Sequence, residues 1–115
     1  MTVIRHLCGP RMSQAVRAGD MVYLAGQVAD DRQTDIRVQT RQALAKIDQL
    51  LAEAGTDRSK IVSVIIWLKT MDDYDGFNDI WDDWVTPEHT PTRACAEVRM
   101  AHDDYRVELI ATAAL

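Results

Sequence analysis

The chain has 115 residues, of which 47% are hydrophobic and 27% charged, a composition typical of one globular domain spanning residues 1–115. Its 18 acidic and 13 basic residues give a net charge of −5, which argues against non-specific binding to nucleic acid or an anionic membrane. No apolar run approaches the ~18 residues of a membrane helix, and no secretory signal is recognisable. Two cysteines, Cys8 and Cys95, cannot form a disulfide framework, so we expect a reducing, cytoplasmic setting.

The first third of the chain predicts β-structure. Val3–Leu7 is a short strand candidate. Ser13–Ala18 and Met21–Gly26 flank the turn residues Gly19-Asp20, which predicts a hairpin. The polar segment Gln27–Gln33 predicts a loop.

Two helices follow from the apolar spacing. Apolar residues recur every three or four positions over Ile36–Ala54 and form one stripe. Thr34 or Asp35 can cap the start of this helix, and Gly55 can end it. A second helix is predicted over Asp72–Val85, with an aromatic-rich apolar face and many aspartates elsewhere.

The remaining apolar segments predict strands. Ile61–Leu68 is nearly continuous and β-branched, which indicates a strand buried on both faces. Thr92–Val98 and Tyr105–Leu115 complete the order β-β-β-α-β-α-β-β, an α+β fold with a mixed sheet and two helices packed on one face. Crossover connections make Met21–Gly26, Ile61–Leu68 and Thr92–Val98 parallel. The last strand follows a short loop, which predicts that it runs antiparallel to them, and its lack of charge after Glu108 places it in the middle of the sheet. The uncovered face shows little polar alternation, which predicts a homo-oligomer.

Two charged residues stand out within apolar strands. Arg93 opens a strand of small apolar residues, and period-two alternation places Arg93, Cys95 and Glu97 on one face. A guanidinium there needs a partner, either a carboxylate of the protein or the carboxylate of a substrate. Glu108 is a lone carboxylate in the predicted central strand. A structural ion pair of Glu108 with Arg93 or Arg106 is the alternative to a functional role.

Other residue types offer weaker signals. Asn78 lies beside the apolar face of the second helix, where capping or surface solvation would also explain it. Cys95 is interpreted more simply as a buried thiol than as a nucleophile. His6, His89 and His102 are far apart and show no metal-ligand spacing, so we expect no metal.

The order and spacing of several short segments resemble the Rid family, also called YjgF, over nearly the whole chain. No single segment is specific to this family, but the order and spacing of the segments are. The segments are Ser13-Gln14-Ala15-Val16, Val22–Val28, Gln39–Leu44, Leu51–Gly55, Asp73–Asn78, Pro91–Cys95 and Val107-Glu108.

The resemblance implies a chorismate-mutase-like fold assembled as a homotrimer, with the open sheet faces packed into a barrel-like core and three clefts between subunits. It also implies hydrolysis of 2-imino acids and their enamine tautomers to 2-keto acids and ammonia, without a cofactor. The expected partners are small 2-imino and 2-keto carboxylic acids, and neither nucleic acid nor membrane.

Site residues carry over position by position. By this resemblance Arg93 clamps the substrate carboxylate and Glu108 orients or activates the attacking water. The backbone at Cys95 faces the substrate, Gly26 ends the strand that lines the cleft, and Asn78 lies near the cleft.

The chain departs from the family pattern in two places. Met12 stands near the position of an aromatic residue that lines the pocket, with one extra residue in the entry loop. Met100-Ala101-His102 replaces the common Leu-Pro. These departures keep open a non-catalytic module that binds small carboxylates, or a chaperone-like one, on the same trimeric fold. A ribonuclease role is opposed by the net negative charge.

Overall fold

The computed structural model describes residues 1–115 and contains one six-stranded sheet with two helices. The elements are β1 (Val3–Cys8), β2 (Ser13–Ala18), β3 (Met21–Leu24), α1 (Ile36–Ala54), β4 (Ile61–Leu68), α2 (Tyr74–Trp84), β5 (Thr92–Glu97) and β6 (Val107–Ala114). The spatial order of the strands is β1-β2-β3-β6-β4-β5, and only β4 and β5 pair in parallel. The predicted α+β class, the element order and the central, antiparallel last strand are confirmed.

The β2–β3 hairpin turns at Gly19, whose φ of +58° favours glycine. β3 ends at Leu24, two residues earlier than predicted, because the backbone then leaves the regular ladder. Ala25 donates its N–H to Gln14 O at 2.9 Å, and Gln27 exchanges two backbone hydrogen bonds with Leu109. Residue 26 therefore lies in an irregular segment that runs beside β6.

Helix α1 begins and ends where its cap residues predict. The side chain of Asp35 accepts a hydrogen bond from Val38 N at 3.0 Å, and Gly55 adopts a φ of +90°. The apolar stripe is buried under the sheet, and each fully buried residue such as Leu44 or Ile47 contributes roughly 1.5–3 kcal/mol.

Helix α2 begins two residues later than predicted. A 3₁₀ turn over Met71–Asp73 precedes it, because the Thr70 hydroxyl accepts a hydrogen bond from Asp72 N and tightens the chain there. The two helices approach closely at Gly76, where a Cβ would lie 2.8 Å from Ile36 Cγ2. Neither helix is long and apolar enough to cross a membrane.

Strand β4 is buried on one face only within this chain, so the prediction of burial on both faces is wrong here. Val64, Ile66 and Leu68 pack under the helices, whereas Ile65 is 41% exposed and Trp67 half-buried. The reason is the layer arrangement, because both helices lie on the same side of the sheet.

The opposite side, which we name the open face, is apolar and carries no covering element of this chain. Tyr23 on β3, Ile65 and Trp67 on β4, and Glu108 and Ile110 on β6 lie on it, as strand register and alternation require. Tyr23 is 49% exposed. Exposed apolar faces of this kind are typical of surfaces that contact another protein chain.

Candidate functional site

Strand β5 places Arg93 at the edge of the sheet, facing the helices. Arg93 pairs in register with Val64, whose side chain is buried on the helix side. Its Cζ lies 5.4 Å from the ring centroid of Trp81, 5.7 Å from Phe77 and 5.8 Å from Tyr74. The guanidinium therefore rests against an aromatic wall on α2, within cation–π distance of three rings.

The guanidinium of Arg93 has no carboxylate partner. Its Nη2 donates one hydrogen bond, of 3.3 Å, to the Tyr74 hydroxyl, and Arg93 forms no ion pair with any Asp or Glu of the chain. A guanidinium carries five N–H donors, so the other four have no acceptor in this chain. A structural Arg93–Glu108 ion pair therefore does not form within one chain.

Cys95 lies two residues further along β5, on the same face as Arg93, as alternation predicted. Burial raises the pKa of the Cys95 thiol, and the positive charge of Arg93 only partly opposes this effect. The thiol therefore stays protonated at neutral pH and forms part of the wall beside Arg93 rather than a nucleophile.

Asn78 follows Tyr74 by one turn of α2. Its Oδ1 is buried, and no group of the chain donates a hydrogen bond to it. This oxygen makes no capping hydrogen bond, whereas Asn78 as a whole is partly exposed, as the surface-solvation alternative predicts. A buried acceptor without a donor costs about 1–3 kcal/mol.

Glu108 lies on the open face of β6, directly beside Gly26. A Cβ on Gly26 would lie 3.0 Å from Glu108 Cδ and closer still to Oε2, so only glycine leaves this carboxylate its present place. Burial raises the pKa of Glu108 above its ordinary value.

The predicted alternative of an Arg106–Glu108 ion pair is also wrong. Arg106 instead donates two hydrogen bonds of 3.0 Å to the buried carboxylate of Asp73. The pKa of Arg106 is raised by its hydrogen bonds to Asp73. Glu108 is left without an ion pair.

One chain does not bring Arg93 and Glu108 together. They belong to β5 and β6, which β4 separates, so roughly 10 Å of sheet width lies between their strands. They also point to opposite sides of the sheet. A site that uses both groups therefore needs residues from two chains.

Met12 lies in the loop between β1 and β2 and is 57% exposed. It lines an open concavity of about 410 Å³ together with Leu7 and Gln14. None of the four surface concavities of the single chain is lined by Arg93 or Glu108. No three His, Cys, Asp or Glu side chains lie close enough to hold a metal ion.

Sequence reasoning missed the hydroxyl of Tyr74 and the buried carboxylate of Asp73. The helical spacing of Tyr74, Phe77 and Trp81 predicts an apolar face, and Phe77 and Trp81 are indeed buried in the core, but the spacing does not indicate that the three rings also contact Arg93. Gln39, fully buried in α1, was also missed as a structural residue. It accepts a hydrogen bond from Arg106 N and donates to Asp104 O.

Comparison with known proteins assigns the family. The family model described as Endoribonuclease L-PSP matches residues 9–115. A RutC family protein from Haemophilus ducreyi is 40% identical over 105 residues, which cover 91% of this chain and 90% of that protein.

Two crystal structures have nearly the same fold. An uncharacterized protein from Pseudomonas aeruginosa superposes with a TM-score of 0.96 at 42% identity, covering 98% of both chains. NMB1025 from Neisseria meningitidis, a member of the YjgF protein family, superposes with a TM-score of 0.96 at 39% identity, covering 99% of this chain and 95% of that one. The chain therefore belongs to the YjgF family, the Rid family that its sequence resembles.

Proposed function

We propose that the protein hydrolyses 2-imino acids and their enamine tautomers to 2-keto acids and ammonia. Water adds to the imine carbon, and the resulting carbinolamine loses ammonia as the C–N bond breaks and the carbonyl forms. The observation that carries the proposal is Arg93, a half-buried guanidinium with no carboxylate partner in the chain. A planar guanidinium fits a carboxylate with two parallel hydrogen bonds.

Arg93 holds the substrate by its carboxylate, the group that all 2-imino acids share. The aromatic wall of Tyr74, Phe77 and Trp81 fixes the guanidinium on one side and excludes water from it. Because an imine carbon is already electrophilic, holding it next to one water supplies several kcal/mol of the barrier.

Glu108 acts on that water. A carboxylate within hydrogen-bond reach takes a proton from the attacking water and returns it to the departing nitrogen. Burial raises the pKa of Glu108, which brings its proton affinity closer to that needed for both transfers near neutral pH. Gly26 contributes by leaving space, since any side chain there would displace the carboxylate.

The remaining predicted site residues line the substrate. Cys95 extends the wall beside Arg93, the partly exposed Asn78 lies near the substrate, and Met12 borders the side-chain pocket. In this proposal three chains assemble through their open faces, and each cleft lies between two of them. The exposed apolar residues of the open face support such an assembly, as does the separation of Arg93 from Glu108.

A second candidate is a module that binds small carboxylates without turning them over. The observation that favours it is that the guanidinium and its aromatic wall are complete within one chain, whereas Glu108 is not part of that group. The description of the matched family names an endoribonuclease, but the net charge of −5 opposes binding of a polyanion.

The deaminase is tested by generating 2-imino acids in place with an amino-acid oxidase while semicarbazide competes for them. Loss of the semicarbazone signal then reports hydrolysis. Wild-type protein should lower this signal and Arg93→Ala should not. Arg41→Ala, which removes an exposed arginine of α1 that forms no ion pair, serves as the matched control and should behave like wild type.

Two results decide between the candidates. Saturable binding of 2-keto acids with no acceleration for any amino acid would establish the binding module instead. Full activity in a folded Arg93→Ala variant would remove Arg93 from the mechanism and overturn the proposal as stated.

A further inference from the structure

Tyr74 presents a hydroxyl group directly beside the guanidinium of Arg93. The Tyr74 oxygen accepts a hydrogen bond from Arg93 Nη2 at 3.3 Å. A phenol can accept and donate at the same time, and the Tyr74 proton has no acceptor in the chain. The same is true of four of the five Arg93 N–H groups. Two neighbouring side chains thus offer donors, and neither has a carboxylate to receive them.

The position of the hydroxyl is fixed by the fold. Tyr74 begins α2 immediately after the 3₁₀ turn, and Asp73 in that turn is anchored by two hydrogen bonds from Arg106. Its ring lies 5.8 Å from Arg93 Cζ, so ring and hydroxyl contact the same guanidinium. The hydroxyl therefore needs little reorganisation to contact a group that Arg93 binds.

We infer that Tyr74 is a second binding residue for the substrate carboxylate, donating its hydroxyl proton to one carboxylate oxygen while Arg93 donates its N–H groups. This inference rests on the proposed function only for the identity of the substrate, because the carboxylate site itself requires no turnover. The ligand class it defines is a small monocarboxylic acid. A neutral ester offers the pair a much weaker acceptor and binds poorly.

Calorimetry with pyruvate, beside methyl pyruvate as the neutral ligand, tests the inference on the wild-type assembly. Tyr74→Phe removes only the hydroxyl, and Tyr105→Phe is the matched control because Tyr105 lies outside the site. A hydrogen bond to a charged group is strong enough that Tyr74→Phe should bind pyruvate about tenfold more weakly or worse. Binding of methyl pyruvate should change little, and Tyr105→Phe should match wild type for both ligands.

A crystal structure of the pyruvate complex separates direct contact from an effect through Arg93. The Tyr74 oxygen should lie within hydrogen-bond distance, about 3 Å, of a carboxylate oxygen. A distance beyond about 4 Å, or equal pyruvate affinity in wild type and Tyr74→Phe, would overturn the inference while leaving the deaminase intact. Weaker binding in Tyr74→Phe from a protein that hydrolyses no imine would support the inference and reject the deaminase. No binding of pyruvate by the wild type would reject the carboxylate site itself.

Discussion

Two arginines lie next to helix α2 but in opposite chemical situations. Arg106 donates two hydrogen bonds of 3.0 Å to Asp73, whose side chain is only 8% exposed. Arg93 rests on aromatic rings and has no carboxylate partner. Because Arg106 already binds a carboxylate of the chain, that of Asp73, the role of Arg106 is structural. Arg93 remains able to bind an anion. The two arginines therefore differ in pairing rather than in burial, and the lack of a carboxylate partner is what makes Arg93 the candidate for anion binding.

Replacing Arg93 should produce the largest functional effect. Arg93→Ala removes the carboxylate clamp, and a lost charge-assisted pair of this kind costs about 4 kcal/mol, so kcat/KM for imine hydrolysis should fall about a thousandfold. Because the fold loses only cation–π contacts and one hydrogen bond to the Tyr74 hydroxyl, and no ion pair, the free energy of unfolding should fall by about 1–2 kcal/mol. Steady-state kinetics and urea unfolding measure the two effects, and a large loss of stability would place Arg93 with Arg106 as a structural residue.

Replacing Gly26 tests the part of the proposed site that contains Glu108. Gly26→Ala forces the Glu108 carboxylate to move, and the flexible end of that side chain can do so without unfolding the protein. Activity should fall about a hundredfold, in the range for loss of a general acid–base group, while the melting temperature changes little.

Non-additivity separates this displacement from an unrelated defect. If Gly26→Ala acts through Glu108, the double variant with Glu108→Gln should be no slower than the slower single variant. Additive losses in kcat/KM would show that Gly26 affects the reaction by another route.

The sequence could predict the order of elements and the strand that carries each site residue. The β6 segment lacks charge after Glu108, which placed it in the centre of the sheet, and alternation placed Arg93 and Cys95 on one face. Alternation works only within one strand, however. The relative facing of Arg93 and Glu108 depends on the register of both strands with β4, and this register is set by tertiary packing.

Pairings across long sequence distances were also beyond sequence reasoning. Asp73 and Arg106 are 33 residues apart, and nothing in the composition of either segment distinguishes this pair from other acidic and basic residues. The exposed face of β4 was missed for a related reason. A continuous β-branched run predicts burial on both sides, but the chain supplies a cover for only one of them.

Breaking the structural arginine pair should lower the free energy of unfolding. Asp73→Asn leaves Arg106 without its anion, and the unfolding free energy should fall by about 2 kcal/mol, less than for a fully buried pair because Arg106 is 38% exposed. Urea denaturation measures this change. Asp79→Asn is the control, because its partner Arg37 is 48% exposed and such surface pairs contribute less than about 1 kcal/mol. Equal losses in both variants would remove the distinction between the two regions.

Replacing Glu108, which forms an ion pair with neither arginine, should give the smallest effect. This effect is a change in how the free energy of unfolding depends on pH. Burial raises the pKa of Glu108 above 4.5, so the folded state binds this proton more tightly than the unfolded state does. Its contribution to stability is therefore fully present below pH 4.5 and is lost as the pH rises through the folded-state pKa.

Over that pH interval the free energy of unfolding of Glu108→Gln should fall less than that of wild type, and Glu108→Gln should be the more stable protein at neutral pH. Urea midpoints across the interval measure this difference, with Glu53→Gln on the exposed side of α1 as the control. A Glu108→Gln curve parallel to that of wild type would mean that the carboxylate is as well solvated in the folded protein as in the unfolded chain, and it would weaken the case for a proton-transferring role.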